Sequence, residues 1–412
     1  MSNIRIDSDR LWQTLMEMAE LGATDKGGVK RLALTDIDKA GRDLFVRWCR
    51  EAGCTVTVDA IGNIFARRPG RNDSLPPVLV GSHLDSQPTG GKFDGAYGVL
   101  AGLEVVRALN DAGIETEAAI EVVDWTNEEG SRFQPPMVGS GVFAGVFALD
   151  KVRTAKDTEG TSLDEALSAI GYAGPNAVGG RPVGAYFEAH IEQGPILEAE
   201  RRTIGVVTGA QGQRWYEVTV TGQEAHAGPT PMPVRRDALV GAARVIAAVR
   251  RIGNDFAPHG RSTCGFVEVY PNSRNVIPGR VFVTVDLRHP NDAALAAMDA
   301  ALRDACKAMG EAEKLFVEIE QILHFAAQPF DAGCVAAVRG AAERLGHPHM
   351  DIVSGAGHDA VYMARAVPAA MVFVPCEDGI SHAEIENATP ADLAAGCDVL
   401  LQAVLEAAGS RP

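Results

Sequence analysis

A glycine-rich stretch, GSHLDSQPTGGKFDG at residues 81–95, combines side chains that could bind a divalent metal ion. His83 offers a nitrogen ligand and Asp94 an oxygen ligand of the kinds that Zn²⁺, Mn²⁺ and Co²⁺ accept, and an aspartate can bridge two ions with its two oxygens. Asp85, two residues after His83, could accept a hydrogen bond from the second ring nitrogen of that histidine. The stretch is therefore either an ordinary turn or part of a metal site.

Two adjacent carboxylates, Glu128 and Glu129 in DWTNEEGSRF, follow an apolar run that predicts a strand. Such a pair is often only a solvated loop, because charged side chains are usually exposed. On an extended backbone, however, neighbouring side chains point in opposite directions, so one glutamate could bind a metal ion while the other transfers a proton. The residues alone leave both interpretations open.

Two histidines elsewhere in the chain are further candidate ligands: His190 in YFEAHIEQGP and His382 in PCEDGISHAEIE. Either one alone is a weak signal. Nitrogen and oxygen donors at the ends of strands of one α/β sheet can nevertheless converge when they are far apart in sequence. The joint occurrence of these donors favours a metal-dependent hydrolase.

A second group of polar residues contains His226 in GQEAHAGPTPM, Asn275 in NSRNVIPG and Arg288 in VDLRHP. Exposed turn residues on a small domain are an equally ordinary explanation. The alternation in VFVTVDLR places Asp286 and Arg288 on the face opposite Val281, Val283 and Val285. An arginine near the mouth of a cleft could bind a carboxylate there through two hydrogen bonds.

The stretch SGAGHDA at residues 354–360 resembles a phosphate loop only superficially, because it lacks the lysine and the glycine spacing of such loops. We predict a tight strand-to-helix turn. Its backbone N–H groups, Gly357 among them, would be available to a substrate.

The elements around these residues predict an α/β fold. PPVLVGSH and AAIEVVDW are predicted strands, and residues 96–113 between them have helical spacing. A β-α-β unit implies that at least part of the sheet is parallel. Loops at the carboxyl ends of such strands are where α/β proteins bind ligands, and SHLDSQPTGG and TNEEGSRF both lie there.

The domain organisation is predicted to be discontinuous. Residues 211–327 show a β-α-β-β-α-β order, which suggests an inserted ferredoxin-like α+β domain. The α/β alternation resumes afterwards, so residues 1–210 and 328–412 would form one catalytic domain with a mixed, largely parallel sheet. Linker signals at 209–213 and 325–333 flank the insertion.

Composition restricts the class of partner. The 412 residues include 54 Asp and Glu against 38 Lys and Arg, a net charge of -16 that repels nucleic acid and anionic membranes. No apolar run reaches the roughly 20 residues of a membrane span, so a small-molecule partner is expected. The first 20 residues or so predict an amphipathic helix, with Trp12, Leu15, Met16 and Ala19 on one side, rather than a signal peptide. The seven cysteines, without a CxxC spacing, predict free thiols. Both features favour the cytosol.

Together, several of these stretches closely resemble the hydantoinase/carbamoylase-type amidases of the M20 metallopeptidase superfamily, the group of N-carbamoyl-L-amino-acid hydrolase, β-ureidopropionase and allantoate amidohydrolase. The stretches are SHLDSQPTGGKFDGAYGVLAGLE, NEEGSRF, EAHIEQGP, GQEAHAGPTPM, NSRNVIPG, DLRHP, SGAGHDA and SHAEIE. The likeness runs from about residue 10 to 408 and contains these stretches in the family's order. The true peptidases of the superfamily usually carry a carboxylate where EAHIEQGP has His190.

The resemblance implies a site for two divalent ions, whether Zn, Mn, Co or Ni. His83, Asp94 and His190 would bind one ion, and Asp94, Glu129 and His382 the other. It also makes Glu128 the general base and has Asp85 orient His83. The substrate-binding residues would be Gln193, His226, Asn275, Arg288 and Gly357.

The resemblance gives specific roles to the residues of the inserted domain. Arg288 and Asn275 would bind the substrate carboxylate, and His226 the developing oxyanion. In the family these groups can reach in from a partner subunit, so a homodimer is expected, with the inserted domain as lid and dimerisation domain.

The leading hypothesis is metal-dependent hydrolysis of the carbamoyl C–N bond of N-carbamoyl amino acids, L-α or β, such as N-carbamoyl-β-alanine, to the amino acid, CO₂ and NH₃. An allantoate or other ureide amidohydrolase is the alternative within enzymes. A metal-free ligand-binding relative is a third hypothesis, which the presence of all five ligand residues and Glu128 disfavours.

Overall fold

The computed structural model describes residues 4–409, and the chain forms two compact units. Unit 1 is built from the two ends of the sequence, Met1–Gly209 and Pro329–Pro412, and unit 2 is the intervening segment Ala210–Gln328. Both boundaries fall inside the segments that the sequence predicts as linkers.

The strands of residues 4–409 are, in chain order, β1 Thr55–Val58, β2 Ile64–Arg68, β3 Val78–His83, β4 Ile120–Trp125, β5 Ala185–Ile191, β6 Ile204–Ala210, β7 Gly212–Thr221, β8 Ala225–His226, β9 Arg261–Thr263, β10 Val267–Tyr270, β11 Val276–Ile277, β12 Arg280–His289, β13 Phe316–Phe325, β14 Gln328–Pro329, β15 His349–Ser354 and β16 Ala369–Val374. The α-helices are α1 Ser8–Ala19, α2 Asp36–Glu51, α3 Ala96–Asp111, α4 Val138–Phe143, α5 Leu149–Arg153, α6 Leu163–Ile170, α7 Ile196–Ala199, α8 Ala238–Asp255, α9 Asp292–Glu313, α10 Ala332–Leu345, α11 Asp359–Met363 and α12 Pro390–Ala408. Short 3₁₀ turns lie at Met232–Val234 and Glu377–Gly379.

The sheet of unit 1 is mixed, with parallel strands at its centre. Its main order is β1-β2-β4-β3-β5-β16-β6-β14, and β15 pairs with β6. The four central strands β4, β3, β5 and β16 are parallel to one another. The β1–β2, β2–β4 and β16–β6 pairs are antiparallel. Every residue of the four central strands is buried, as expected for strands covered on both faces. The predicted mixed α/β fold is confirmed, and β3, α3 and β4 form the predicted β-α-β unit.

The amphipathic helix predicted at the start of the chain is α1, but the predicted buried face is partly wrong. Leu15 and Ala19 are buried as expected, whereas Trp12 and Met16 are only half-buried. The other buried residues of the helix are Leu11, Thr14 and Met18. The difference arises because the face turned to α3 and α12 is rotated toward Leu11 and Met18, and Trp12 instead stacks on Phe93 with ring centroids 5.9 Å apart.

Unit 2 contains an antiparallel sheet with the strand order β10-β12-β7-β13. Strand β9 also pairs with β12, along a different part of β12 from the part that pairs with β10. Its main elements follow the order β7, α8, β10, β12, α9, β13. Val281, Val283 and Val285 on β12 are buried in a core with α8 and α9, while Asp286 and Arg288 are half-buried on the opposite face. A separate two-stranded pair joins β8 to β11.

Two further features bear on the class of protein. Among residues 4–409, no helix has both the length and the apolar character that crossing a membrane demands. All seven cysteines are unpaired thiols, and six of them are buried.

Candidate metal centre

The ends of the four central strands of unit 1 carry the candidate ligands. His83 is the last residue of β3, and His190 lies one residue before the end of β5. Glu128 and Glu129 follow β4, and His382 follows β16. Because parallel strands present their carboxyl ends at the same edge of a sheet, these side chains can meet although they are distant in sequence.

Asp94 lies at the middle of the cluster. Its Oδ1 atom is 3.2 Å from Nε2 of His190 and 3.7 Å from Nε2 of His83, and its Oδ2 atom is 3.2 Å from Nε2 of His382. One ligand atom from each of His83, Asp94 and His190 lies within 4.8 Å of the others, and the same holds for Asp94, Glu129 and His382. Asp94 is thus common to two ligand clusters, as a bridging carboxylate would be.

Gly95 allows Asp94 to approach His83. Its φ is 67°, a left-handed conformation that favours glycine, and a Cβ atom there would lie 2.2 Å from Cε1 of His83. The same residue is the N-cap of α3, so the chain passes directly from the aspartate into the helix. The glycine-rich stretch is therefore a turn whose shape brings the two side chains together.

Main-chain carbonyls set the orientation of the two buried histidines. Nδ1 of His83 is 2.8 Å from the carbonyl oxygen of Asp85, and Nδ1 of His190 is 2.9 Å from the carbonyl oxygen of Ile191. A carbonyl only accepts, so each Nδ1 donates, and Nε2 is the ring nitrogen that faces Asp94. A histidine held in this way presents Nε2 to a metal ion once that atom carries no proton.

His83 has the acceptor at Asp85 that the sequence predicts, but this acceptor belongs to the main chain. The carbonyl of Asp85, not its carboxylate, accepts from His83, and its Oδ1 atom is 3.9 Å from Nδ1 of that ring. The carboxylate instead accepts from the backbone N–H of Glu128 at 3.1 Å and of Glu129 at 3.3 Å. Asp85 therefore holds the turn that carries the two glutamates.

The two glutamates lie at different clusters, but not for the reason expected. They belong to a turn that begins at Asn127 with a φ of 55°, so the extended backbone assumed from the sequence is wrong. Within that turn, Oε2 of Glu128 lies 3.4 Å from Nε2 of His83, and Oε2 of Glu129 lies 3.5 Å from Nε2 of His382. Turn geometry thus separates the carboxylates that strand alternation was expected to separate.

The protonation states follow from burial and from the density of charge. Burial lowers the pKa of His83 to about 4. For His190, burial also lowers the pKa, but the hydrogen bond and the charge of Asp94 outweigh it and raise the pKa to about 9. Burial and the neighbouring carboxylates raise the pKa of Glu128 and of Glu129 well above the ordinary glutamate range. So many buried carboxylates favour a bound cation.

A third possible cluster, Glu188, His190 and His358, also has ligand atoms within 4.8 Å. The carboxylate of Glu188 is already occupied, because it accepts hydrogen bonds from the Ser82 hydroxyl, the Tyr186 hydroxyl and the Ala360 N–H. His358 packs its ring against that of His190 with centroids 4.5 Å apart. Glu188 and His358 therefore pack around His190 and do not form a separate metal site.

Gln193 and Gly357, expected from the resemblance to bind substrate, both lie in unit 1. Nε2 of Gln193 donates to Oδ2 of Asp94 at 2.9 Å, and the residue has a φ of 56°. Gly357 is exposed in the turn between β15 and α11, as the sequence predicts for SGAGHDA. Strained conformations of non-glycine residues are enriched at functional sites, and His382 with a φ of 54° is another example.

His226, Asn275 and Arg288 all belong to unit 2. The β8–β11 pair brings the first two together, and the carbonyl oxygen of Asn275 accepts from the N–H of Ala227 at 2.9 Å. Arg288 binds Asp286 on the same strand, with Nη2 2.8 Å from Oδ2. The sequence placed these two side chains on one face but did not predict that they pair.

Sequence reasoning missed two polar residues at the site. Gln87 donates to Oε2 of Glu129 at 2.7 Å, and Glu386 accepts from the N–H of Asp94 at 3.1 Å. Neither stood out, because a glutamine in a loop and one of the two glutamates in SHAEIE are common surface residues. Only the second glutamate is buried.

The donor set fits divalent ions of intermediate softness. The histidine nitrogens and carboxylate oxygens that face one another are the ligands that zinc and its neighbours in the first transition row accept. Nε2 of His83 carries no proton, because Nδ1 of that ring donates to a carbonyl. Nε2 of His190 lies 3.3 Å from the N–H of Gly95.

Comparison with known proteins shows the family of the chain. The model of peptidase family M20/M25/M40 matches residues 79–406. An N-carbamoyl-L-amino-acid amidohydrolase of Rhizobium meliloti is 50% identical over 98% of this chain and 98% of its own length. An allantoate amidohydrolase of Bacillus subtilis is 34% identical over 93% of each chain.

A crystal structure of a hydantoinase/carbamoylase family amidase from Burkholderia multivorans is 66% identical, covers 99% of both chains and superimposes with a TM-score of 0.97. The family model covers most of the sequence, and these relatives are similar over nearly their whole length. The chain therefore belongs to peptidase family M20/M25/M40 and, within it, to the hydantoinase/carbamoylase amidases, and it is a hydrolase.

Proposed function

We propose that the chain hydrolyses the carbamoyl C–N bond of N-carbamoyl amino acids, L-α or β, to the amino acid, CO₂ and NH₃. The observation that carries this proposal is Asp94, whose two oxygens face different histidines, with Glu128 beside His83. The relative from Rhizobium meliloti, which is named an N-carbamoyl-L-amino-acid amidohydrolase, supports the choice of substrate class.

We propose that the site holds two divalent ions, of Zn, Mn, Co or Ni. His83, Asp94 and His190 would hold one, and Asp94, Glu129 and His382 the other. Such ions, when bound, lower the pKa of water toward neutrality and polarise a carbonyl group. An N/O ligand set accepts several metals, so availability decides which one is bound.

Glu128 is the proposed general base. Its carboxylate is buried and lies beside His83, and its backbone N–H donates to the carboxylate of Asp85. It would take a proton from the attacking water and return it to the leaving nitrogen. Burial and like charges raise the pKa of Glu128 above the ordinary glutamate range, which makes this carboxylate a better proton acceptor.

The substrate carboxylate is proposed to bind to Arg288 and Asn275, and His226 would donate to the oxyanion. Arg288 pairs with Asp286, so a bound carboxylate would share or replace that contact. In unit 1, Gln193, which contacts Asp94, and the N–H groups around Gly357 are the further proposed substrate-binding groups. Unit 2 would act as lid and dimerisation domain.

A homodimer located in the cytosol is part of the proposal. Unpaired thiols at all seven cysteines support a reducing compartment. Sedimentation of the purified protein at several concentrations tests the dimer, and a monomer at all concentrations would oppose it.

A substrate panel tests the proposed activity. Purified protein loaded with Mn²⁺, Co²⁺ or Zn²⁺ should release ammonia from N-carbamoyl-L-methionine or N-carbamoyl-β-alanine, and the ratio of the two kcat/KM values separates α from β specificity. The Glu128→Gln variant should be inactive on both. No ammonia from any N-carbamoyl amino acid would overturn the proposal.

An allantoate amidohydrolase is the second candidate, favoured by the 34% identity to the Bacillus subtilis protein of that name. The same two-ion site and general base would serve a ureide. Allantoate in the same panel decides between the two: a higher kcat/KM on allantoate supports this candidate, and an inert allantoate removes it.

A further inference from the structure

Glu386 is a buried carboxylate that belongs to neither ligand cluster. Its side chain lies four residues after His382 and is 3% exposed. Oε1 accepts from the N–H of Phe93 at 3.2 Å and from the N–H of Asp94 at 3.1 Å. Oε2 accepts from the hydroxyl of Ser381 at 2.7 Å.

These contacts join two separate loops. Asp94 lies between β3 and α3, whereas His382 lies between β16 and α12. β3 and β16 are not neighbours in the sheet, because β5 lies between them. No strand pairing therefore sets the distance between these two ligands, and Glu386 binds the residue that precedes His382 and the backbone of Asp94 at once.

Gly91 leaves the space that this connection needs. A Cβ atom at that position would lie 2.0 Å from Oε1 of Glu386, so a side chain would push the carboxylate away from the loop. Ser381 extends the connection, because its hydroxyl accepts from Nε2 of Gln193 at 3.2 Å, and Gln193 also donates to Asp94.

His382 needs such support more than the other two histidines do. His83 and His190 are buried strand residues whose Nδ1 atoms are held by carbonyls, but the side chain of His382 is 51% exposed. Its backbone has a φ of 54°, which a non-glycine residue adopts only when its surroundings impose it.

We propose that Glu386 is a positioning residue that sets the separation of Asp94 and His382. It would thereby control the affinity for the second ion, which is the ion proposed to bind Asp94, Glu129 and His382. The inference rests on the proposed two-ion function. A carboxylate accepting from two backbone amides makes strong, charge-assisted hydrogen bonds, and its loss leaves those amides without a partner. Supporting groups of this kind typically change metal affinity by about 10- to 100-fold.

The test compares three variants by calorimetric titration of the metal-free protein with Mn²⁺ or Zn²⁺. Glu386→Ala should weaken the second ion by about 10- to 100-fold and leave the first within about threefold. Glu386→Gln should restore most of the affinity, because its oxygen still accepts from the two amides and its NH₂ can donate to Ser381. Glu384→Gln, two residues away and paired with Lys26 at the surface, is the matched control and should behave as wild type.

If Glu386→Ala does not fold, Ser381→Ala removes the Oε2 contact, together with the contacts of the hydroxyl to Gln193 and Asp94, and keeps both backbone contacts of Oε1. It should weaken the second ion alone, by a smaller factor. Unchanged affinity for both ions in Glu386→Ala, or an equal loss of both, would overturn the inference. Failure of the wild type to bind two ions, or to release ammonia from the substrate panel, would instead overturn the proposed function.

Discussion

The Oε2 atom of Glu128 lies 3.4 Å from Nε2 of His83, the histidine that closes the neighbouring strand. His83 is the last residue of β3 and Glu128 follows β4, and these two strands pair in parallel, so both end at the same edge of the sheet. Asp85 contacts both residues, since its carbonyl accepts from Nδ1 of His83 and its carboxylate accepts from the N–H of Glu128. A proposed base is thus held against a proposed ligand.

Replacing Glu128 by glutamine should abolish proton transfer without removing metal. We expect kcat for ammonia release to fall by at least about 10²- to 10⁴-fold, because an amide of the same shape cannot accept the proton. The metal content should stay at the wild-type value. Glu121→Gln is a control in the same strand, since Glu121 is also buried but lies at the opposite end of β4. A Glu128→Gln variant with wild-type kcat would contradict the assignment.

Asp85→Ala should separate the two contacts of Asp85. The main-chain carbonyl remains, so His83 should keep its orientation and the first ion should bind as before. The N–H groups of Glu128 and Glu129 lose their acceptor, and we expect kcat to fall by about 10- to 100-fold. Elemental analysis beside kinetics measures both effects. Metal loss as large as that of His83→Ala would show that the carboxylate, not the carbonyl, orients the histidine.

Metal binding should release protons. The pKa of His190 near 9 means that this ring is protonated at neutral pH in the metal-free protein, whereas His83, with a pKa of about 4, is neutral. An ion at His190 must displace that proton, so apparent affinity should rise from pH 6 toward pH 9. Calorimetry in buffers of different ionisation enthalpy should detect the release at pH 7.5. Affinity that is constant over this range would argue against His190 as a ligand.

Removal of the ions should lower the melting temperature of the protein. A ligand that binds only the folded state stabilises it by about 2.7 kcal/mol at a hundred times its Kd. Treatment with a chelator should therefore reduce both activity and Tm, and added Mn²⁺, Co²⁺ or Zn²⁺ should restore both. Differential scanning calorimetry measures the change, and a Tm that does not respond to any of these ions would contradict a metal site in the folded protein.

Asp59 should make stability depend on pH. Burial raises its pKa to about 6, although Ile61 and Asn63 donate hydrogen bonds to its carboxylate. The folded chain thus holds the proton more tightly than the unfolded chain, whose pKa is ordinary. The contribution of Asp59 to the free energy of unfolding is fully present below about pH 4 and is lost as the pH rises through about 6. The loss is at most on the order of 3 kcal/mol.

Asp59→Asn removes this dependence. The difference in free energy of unfolding between variant and wild type should shift in favour of the variant from pH 4 to pH 7, as measured by urea denaturation at each pH. Exposed Asp25→Asn serves as the control and should show no such shift. A constant difference for Asp59→Asn would mean that its hydrogen bonds offset the burial.

Much of the fold was predictable, because it depends on local patterns. The apolar runs at β3 and β4 and the helical spacing between them determine a β-α-β unit, which the structure contains. The face of α1 was less predictable: Trp12 fits the apolar spacing but lies at its edge, because α3 and α12 approach from the side of Leu11 and Met18. Periodicity defines an apolar face only to within about one residue.

The sequence by itself determined which residues could act at a site. Five of them have the right chemistry and lie at or after the ends of buried strands: His83, Asp94, Glu129, His190 and His382. Only the tertiary structure decided how they meet. The shared position of Asp94, the contact of Arg288 with Asp286 and the burial of Glu386 depend on sheet order and on the paths of loops. The physical reason is that side-chain type and spacing act locally, whereas a contact between distant residues exists only once the strands have taken their places.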